Sequence, residues 1–341
     1  LQALGFSYIY GNDIAPDEPQ SERDSFRDVV LVGRLRQALN RINAHIPARF
    51  RQRVIEDAIG KVMPSSTLDL IQANRIFHQL LVEGVDVSYR DGKQSINEKI
   101  WLVDWRNPQN NDFLAVNQFT VHDVNRTTRA KMDRRPDVVL FVNGLPLVVI
   151  ELKNAIDEKA DIEDAFNQMQ TYKQDIPRLF VYNEGIIIAD GVQARMGTLT
   201  SGWEWFKPWK TITGDDYSKV ESLEVLLRGI FQPEIYLDLV RNFTVFDDTD
   251  NEKAGKRQVI KKTAGYHQYH AVNRAISKTI EATATTGDQR VGVIWHTQGS
   301  GKSLSMLFYA GKIIQNAAMN NPTVVVLTDR NDLDDQLFGT F

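Results

Sequence analysis

Apolar residues recur at helical spacing from Leu31 to Met63. Leu31, Leu35, Leu39 and Ile42 form one stripe, Pro47 interrupts it, and Val54, Ile55, Ala58, Ile59 and Val62 form the next. Two amphipathic helices packed on a core are the expectation. Farther along, the period shortens. KIWLVDW (Lys99 to Trp105) and FLAVNQFTV (Phe113 to Val121) predict strands on either side of the turn-forming RNPQNND. DVVLFV and LVVIELK, joined by Asn143-Gly144, predict a hairpin, and their nearly continuous apolar runs predict strands covered on both faces. Ile162 to Tyr172 has helical spacing, and RLFVYNEGIIIADG (Arg178 to Gly191) predicts two more strands. The stretch from Asp247 to Lys262 is charged and without period, as an interdomain linker would be. After it, VGVIWHT predicts a strand entering a glycine-rich turn, and TVVVLTDRNDLDDQL a buried strand, a polar loop and a helix start. No internal repeat or low-complexity tract interrupts this order. The expected organisation is a first domain over 1–245, a linker over 246–262 and a second unit over 263–341.

Composition narrows the class. With 341 residues, 42% apolar and 25% charged, the chain is long enough for two domains with real cores. No apolar run approaches a membrane span. Cysteine is absent, which removes disulfides and thiolate metal sites and suits a reducing, cytoplasmic location. A net charge of −4 argues against a uniformly basic coat, so any nucleic-acid surface must be a local patch. The chain starts at Leu1 rather than Met and lacks a signal-peptide pattern, so a fragment or processed product is the expectation.

The candidate chemistry lies in RPDVVLFVNGLPLVVIELKN, Arg135 to Asn154. Asp137 opens the first strand of the hairpin, and Glu151 and Lys153 close the second. Strand alternation puts Glu151 and Lys153 on one face and turns Leu152 back towards the core. The Asn143-Gly144 turn then brings Asp137 beside Glu151. Solvated strand ends are the plain alternative. Against it, adjacent carboxylates repel unless a cation sits between them, and hard oxygen donors suit Mg²⁺. Pro-Asp, a hairpin, then Glu-x-Lys resembles the PD-(D/E)xK nuclease family. The resemblance implies that Asp137 and Glu151 bind the metal, with the Leu152 carbonyl as a further donor. It also implies that Lys153 steadies the scissile phosphate or the attacking water. In AFNQMQTYKQ, Gln168 and Tyr172 are four residues apart and share a helix face. They are similar to the Gln-x-x-x-Tyr feature of exonuclease-like members, which positions DNA; an ordinary helix surface is the alternative. An acidic residue on an early helix often completes such sites, and Glu56 is the candidate, with Asp57 and Glu83 as alternatives. Arg126, Arg129, Lys131, Arg134 and Arg135, in NRTTRAKMDRR, lie just upstream. They are either a solvated loop or contacts to a DNA backbone.

WHTQGSGKS carries the second candidate site. Glycines at 299 and 301 allow backbone N–H groups to wrap phosphates, Lys302 supplies a positive charge and the Ser303 hydroxyl is a Mg²⁺ ligand. The strict pattern Gly-x-x-x-x-Gly-Lys-[Ser/Thr] fails at its first position, which is His296; Gly299, Ser300, Gly301, Lys302 and Ser303 keep the phosphate-contacting half. An unrelated glycine-rich turn in an α/β domain is the alternative. In YHQYHAV, Gln268 resembles the adenine-reading glutamine of superfamily 2 helicases, and TVVVLTDRNDLDDQL resembles their motif Ia. In order and spacing these stretches resemble a first RecA-like lobe, and the resemblance implies ATP and Mg²⁺ as its ligands. No acidic pair ends a strand between Asn321 and Phe341, so weak nucleotide binding without useful hydrolysis is expected of this chain.

Taken together, the expected fold class is α/β: a PD-(D/E)xK-like nuclease domain, with a mixed sheet flanked by helices, followed by the start of a RecA-like superfamily 2 motor lobe. This order resembles the restriction (motor) subunit of type I restriction-modification enzymes. The resemblance implies Mg²⁺-dependent cleavage of double-stranded DNA and ATP-driven translocation, in company with methyltransferase and specificity subunits. A free-standing nuclease-helicase of a repair or defence system is the alternative enzyme. A non-catalytic DNA-binding assembly module is the alternative of another class.

Overall fold

The computed structural model describes residues 1–63, 68–153, 161–215, 222–251 and 256–327. Strand β1 (Ser7–Tyr10) leads through a long loop into three helices, α1 (Val32–Ile42), α2 (Ala48–Val62) and α3 (Leu70–Glu83). The two predicted apolar stripes face inward: α1 buries Leu35 and Leu39, and α2 buries Val54, Ile55, Ala58, Ile59 and Val62. Pro47 stands at the N-cap of α2, where its missing N–H costs nothing.

A hairpin of β2 (Val85–Asp91) and β3 (Gln94–Ile100) follows. The strand expected over Lys99 to Trp105 therefore ends at Ile100. Beyond it the backbone finds a side chain instead of a ladder: Trp101 N–H donates to Asn43 Oδ1 at 2.8 Å, and Asn43 Nδ2 donates to the Trp101 carbonyl at 3.0 Å. The run from Phe113 to Val121 is likewise two strands, β4 (Phe113–Asn117) and β5 (Val121–Val124), broken at Gln118, whose φ is 55°.

Next come β6 (Lys131–Arg134), β7 (Val138–Val142), β8 (Leu145–Leu152), α4 (Ile162–Asp175), α5 (Pro177–Phe180), β9 (Gly185–Ala189) and β10 (Ala194–Gly197). The β7–β8 hairpin is antiparallel, with Val138 opposite Ile150, and closes at Asn143 (φ 53°) and Gly144 (φ 79°), the left-handed pair that matches strand twist. A Cβ on Gly144 would lie 2.4 Å from the Leu31 carbonyl, so glycine also lets the turn pass against the start of α1. Of the two strands expected in Arg178 to Gly191, only β9 forms. Pro177 starts the short helix α5 instead, and the Asn74 amide takes the carbonyls of Val181 and Asn183 at 3.0 and 2.8 Å.

The central sheet has six strands in the order β1-β4-β7-β8-β9-β10. Its β1–β4 and β8–β9 pairs are parallel and the others antiparallel, a mixed sheet in an α/β protein. β7 to β9 are buried almost throughout. Helix α4 packs across β8, β9 and β6, its N-terminus fixed by a capping box between Asp161 and Asp164.

Two further helices, α6 (Leu223–Ile230) and α7 (Pro233–Asn242), lead to β11 (Thr244–Asn251) and β12 (Lys256–Thr263). The stretch expected as the linker 246–262 is thus an antiparallel hairpin, not an aperiodic tether. Among its described side chains Lys262 bridges to Asp247, Asp248 to Arg75 of α3, and the fully buried Lys261 ammonium meets Glu184 at 2.7 Å. A polar composition therefore concealed a strand pair. Helices α8 (Tyr266–Thr283) and α9 (Lys302–Gln315) pack on each other and, through Phe308, on Phe243. The strands expected in VGVIWHT and over Val324 to Leu327 are not formed among the described residues. Val293 is 93% and Trp295 83% exposed, and a strand without a paired neighbour cannot satisfy its backbone. The remainder of the motif Ia stretch, from residue 328 on, lies outside the described residues.

Candidate active site

Asp137 sits immediately before β7, and Glu151 is the penultimate residue of β8, so the hairpin register brings both to the same end of the two central strands, an edge formed by strand ends rather than by an outer strand. Asp137 is gripped on both oxygens. Oδ2 accepts the Leu152 N–H at 2.8 Å, and Oδ1 accepts the Gln118 side-chain amide at 3.1 Å. Glu151 is buried; Lys153 Nζ donates to its Oε1 at 3.1 Å, while Oε2 is buried without a partner. The Lys153 N–H donates to the Ala189 carbonyl at 2.8 Å, which fixes the residue after β8 against β9. Burial raises the Glu151 carboxyl above its usual range; the Asp137 charge adds to this and Lys153 partly offsets it. A half-satisfied, repelling acidic pair beside an ammonium is a set of hard oxygen donors that a divalent cation would complete. A cavity of about 330 Å³, lined by Asn117, Gln118, Asp137, Val138, Leu152 and Lys153, opens at this edge.

Leu152 does not turn back into the core. It is 39% exposed, because the face opposite Glu151 is uncovered at the strand end.

Helix α4 delivers Tyr172, which is buried and has its hydroxyl 3.5 Å from the Arg135 carbonyl. Burial and the neighbouring Glu151 charge push its phenol well above the usual range, and Gln168, one turn earlier on α4, offsets part of this. The Gln-x-x-x-Tyr pair thus abuts the acidic edge. Glu56 does not join it: it pairs with Arg36 on an exposed face, and Asp57 pairs with Lys61. Among the described residues no group of three or more His, Cys, Asp or Glu side chains converges. Of the basic run, Arg126 pairs with Asp69 and Arg134 with Asp175, whereas Arg129, Lys131 and Arg135 are exposed. Gln118 was missed by sequence reasoning; a glutamine at a strand end carries no signal until its left-handed backbone is seen.

The glycine-rich loop lies beside a separate cavity of about 1370 Å³, lined among others by His267, Arg274, Gly299, Gly301, Lys302 and Ser303. Gly299 and Gly301 both have left-handed φ (77° and 81°), and α9 starts at Lys302, with Ser303 half-buried in its first turn. Ser300 Oγ is buried without a partner. Lys302 Nζ is turned onto the loop's own carbonyls, His296 at 2.9 Å and Thr297 at 3.0 Å. Gln268 holds the loop: Oε1 accepts the Gly265 N–H and Nε2 donates to the Gly301 carbonyl, both at 2.9 Å. Both ends of its amide are thus engaged by backbone groups, one of them in the glycine-rich loop.

Fold and charged edge define a class: a mixed α/β sheet with two carboxylates and a lysine at one edge, followed by a glycine-rich loop ahead of a helix. The chain belongs to the type I restriction enzyme R protein family, whose N-terminal region ("Type I restriction enzyme R protein N terminus") it matches over residues 1–205. Residues 267–341 match the SWI2/SNF2 ATPase family. The chain is 46% identical, over its whole length, to the type I restriction enzyme HindI endonuclease subunit of Haemophilus influenzae, of which it covers 31%. It is 32% identical, again over its whole length, to a Methanocaldococcus jannaschii protein provisionally named the type I restriction enzyme MjaIXP endonuclease subunit, of which it covers 33%. It is 27% identical over 96% of its length to the SsaAORF53P endonuclease subunit of Staphylococcus saprophyticus, covering 33% of that relative. The chain spans about a third of the length of these relatives. No helix among the described residues is long and apolar enough to cross a membrane.

Proposed function

We propose that this chain carries the nuclease site and the entry to the motor of a type I restriction endonuclease subunit, cutting duplex DNA at a PD-(D/E)xK-like centre. The observation that carries the reading is the convergence of Asp137, Glu151 and Lys153 at one strand edge, with Glu151 Oε2 buried and unpartnered. Asp137 and Glu151 would hold Mg²⁺, which when bound supplies polarisation of the scissile phosphate and a more acidic water. Lys153 Nζ, held at Glu151 Oε1, is placed to donate to a phosphate oxygen or to orient the water. Tyr172, buried beside this strand end, and Gln168, one turn earlier on the same helix, would help to position DNA at the site. Arg129, Lys131 and Arg135 supply exposed positive charge for the DNA backbone.

The second unit is read as a RecA-like nucleotide site for ATP and Mg²⁺. Gly299, Ser300 and Gly301 would cradle phosphates, Ser303 would ligate the metal, and Lys302 would leave its loop carbonyls for the phosphates. Gln268 serves that site by bracing Gly301. The domain division, 1–245 and 263–341 with the β11–β12 hairpin between, and a cytoplasmic assembly with methyltransferase and specificity subunits, belong to the same proposal.

DNA cleavage by the whole subunit, comparing the parent with Asp137→Ala and Lys153→Ala, tests the site. Undiminished cutting by both variants refutes it. Co-purification of the subunit with a methyltransferase separates this reading from a free-standing nuclease-helicase.

A further inference from the structure

Strand β4 ends at a strained turn that reaches directly into the acidic edge. Gln118 adopts φ 55°, a left-handed conformation that a side chain with a Cβ enters only under constraint. The constraint is visible from both sides. Gln118 N–H donates to the Asp137 carbonyl at 2.8 Å, and Gln118 Nε2 donates to Asp137 Oδ1 at 3.1 Å. From the other side Gly11, just past β1, donates its N–H to the Asn117 carbonyl at 2.8 Å. A Cβ on Gly11 would stand 2.5 Å from the Gln118 carbonyl oxygen and 2.7 Å from that of Asn117, so only glycine can press this close. Asn117 and Gln118 both line the cavity they share with Asp137 and Lys153, and Asn117 Oδ1 is buried there without a partner.

We propose that Gln118 is a positioning residue for the nuclease centre. It anchors one oxygen of Asp137 while Leu152 N–H anchors the other, so the carboxylate cannot rotate away from Glu151 to escape like-charge repulsion. The residue acts through Asp137 and touches no substrate. The inference rests on the reading of Asp137 and Glu151 as the metal-holding pair. Strained backbone and a side-chain anchor at one residue are what a site needs when two carboxylates must be held together before the cation arrives.

Gln118→Gly separates positioning from structure. It keeps the backbone N–H, relieves the left-handed strain and deletes only the amide anchor. Mn²⁺ binding to the chain, measured by calorimetry beside thermal unfolding, is the readout. The expected result is a thermal midpoint equal to or above the parent's, with Mn²⁺ affinity about tenfold weaker, the scale found when a group orienting a metal ligand is removed. Parent-like Mn²⁺ affinity in Gln118→Gly, with affinity lost in Asp137→Ala, overturns the inference alone. Parent-like affinity in both overturns the metal reading of the pair and the inference with it.

Discussion

Replacing Lys261 by Met removes a charge from the interior while keeping most of the side-chain length. The Lys261 side chain is fully buried, and its Nζ donates to Glu184 Oε2 at 2.7 Å, the Asn183 carbonyl at 2.8 Å and Asn74 Oδ1 at 3.1 Å. Lys261→Met leaves the equally buried Glu184 carboxylate with His78, at 2.9 Å, as its remaining ionisable partner. Breaking a buried pair from one side costs about 3–5 kcal/mol, because the partner's desolvation is no longer offset. Burial alone would raise the Glu184 carboxyl, but His78 and Lys261 outweigh it and hold it below its usual value. A carboxylate lowered on folding contributes stability that is present above its unfolded value, about 4.3, and is lost as pH falls through the folded one. Lys261→Met should therefore lose most at neutral pH and least in acid. Urea unfolding of the chain as Lys261→Met, Glu184→Gln and the double variant is the assay. The double variant should recover about 2 kcal/mol relative to the sum of the singles. A single-variant cost below about 1 kcal/mol, or strict additivity, refutes the account of this network.

Three other outcomes follow from the geometry. Glu151→Gln should stabilise the chain at neutral pH when no divalent cation is present. A carboxyl raised on folding gives stability that is full below its unfolded value and lost as pH rises through the folded one, so melting curves of parent and variant should converge in acid and separate above it. Mg²⁺ should raise the parent's midpoint and leave the variant's unchanged. Gly301→Ala puts a Cβ 2.7 Å from Gln268 Nε2 at φ 81°, so binding of a fluorescent ATP analogue should fall at least tenfold; parent-like binding contradicts the loop assignment. Replacing Arg129, Lys131 and Arg135 together by Gln should lower the salt slope of duplex DNA binding by roughly 0.9 for each phosphate that is no longer neutralised. An unchanged slope places the DNA elsewhere.

The parts of the fold most legible in the sequence were those where local pattern and tertiary burial agree. The stripes of α1 and α2, the Asn143-Gly144 hairpin and the meeting of Asp137 with Glu151 all follow from period and turn chemistry. Misreadings arose where side chains took over backbone duties. Asn43 satisfies Trp101 and Asn74 satisfies Val181, so apolar runs that read as strands are coil and helix. The β11–β12 hairpin hid because its sequence is charged throughout, while its described charges find partners: Lys262 across the strands at Asp247 and Lys261 inside the core at Glu184. Gln118 was invisible because its place depends on a backbone angle; Gln268 stood out in the sequence, but its contact with the Gly301 carbonyl could not be read there.

The central claim is that Asp137, Glu151 and Lys153 form one metal-dependent nuclease centre. The most direct test is Mg²⁺-dependent cleavage of duplex DNA by the whole subunit, assembled with whatever partners co-purify, against Asp137→Ala and Lys153→Ala at matched DNA binding. The account predicts that both variants bind DNA and lose cleavage by a hundredfold or more, about 2.7 kcal/mol of barrier. Cutting at the parent's rate by either variant contradicts it.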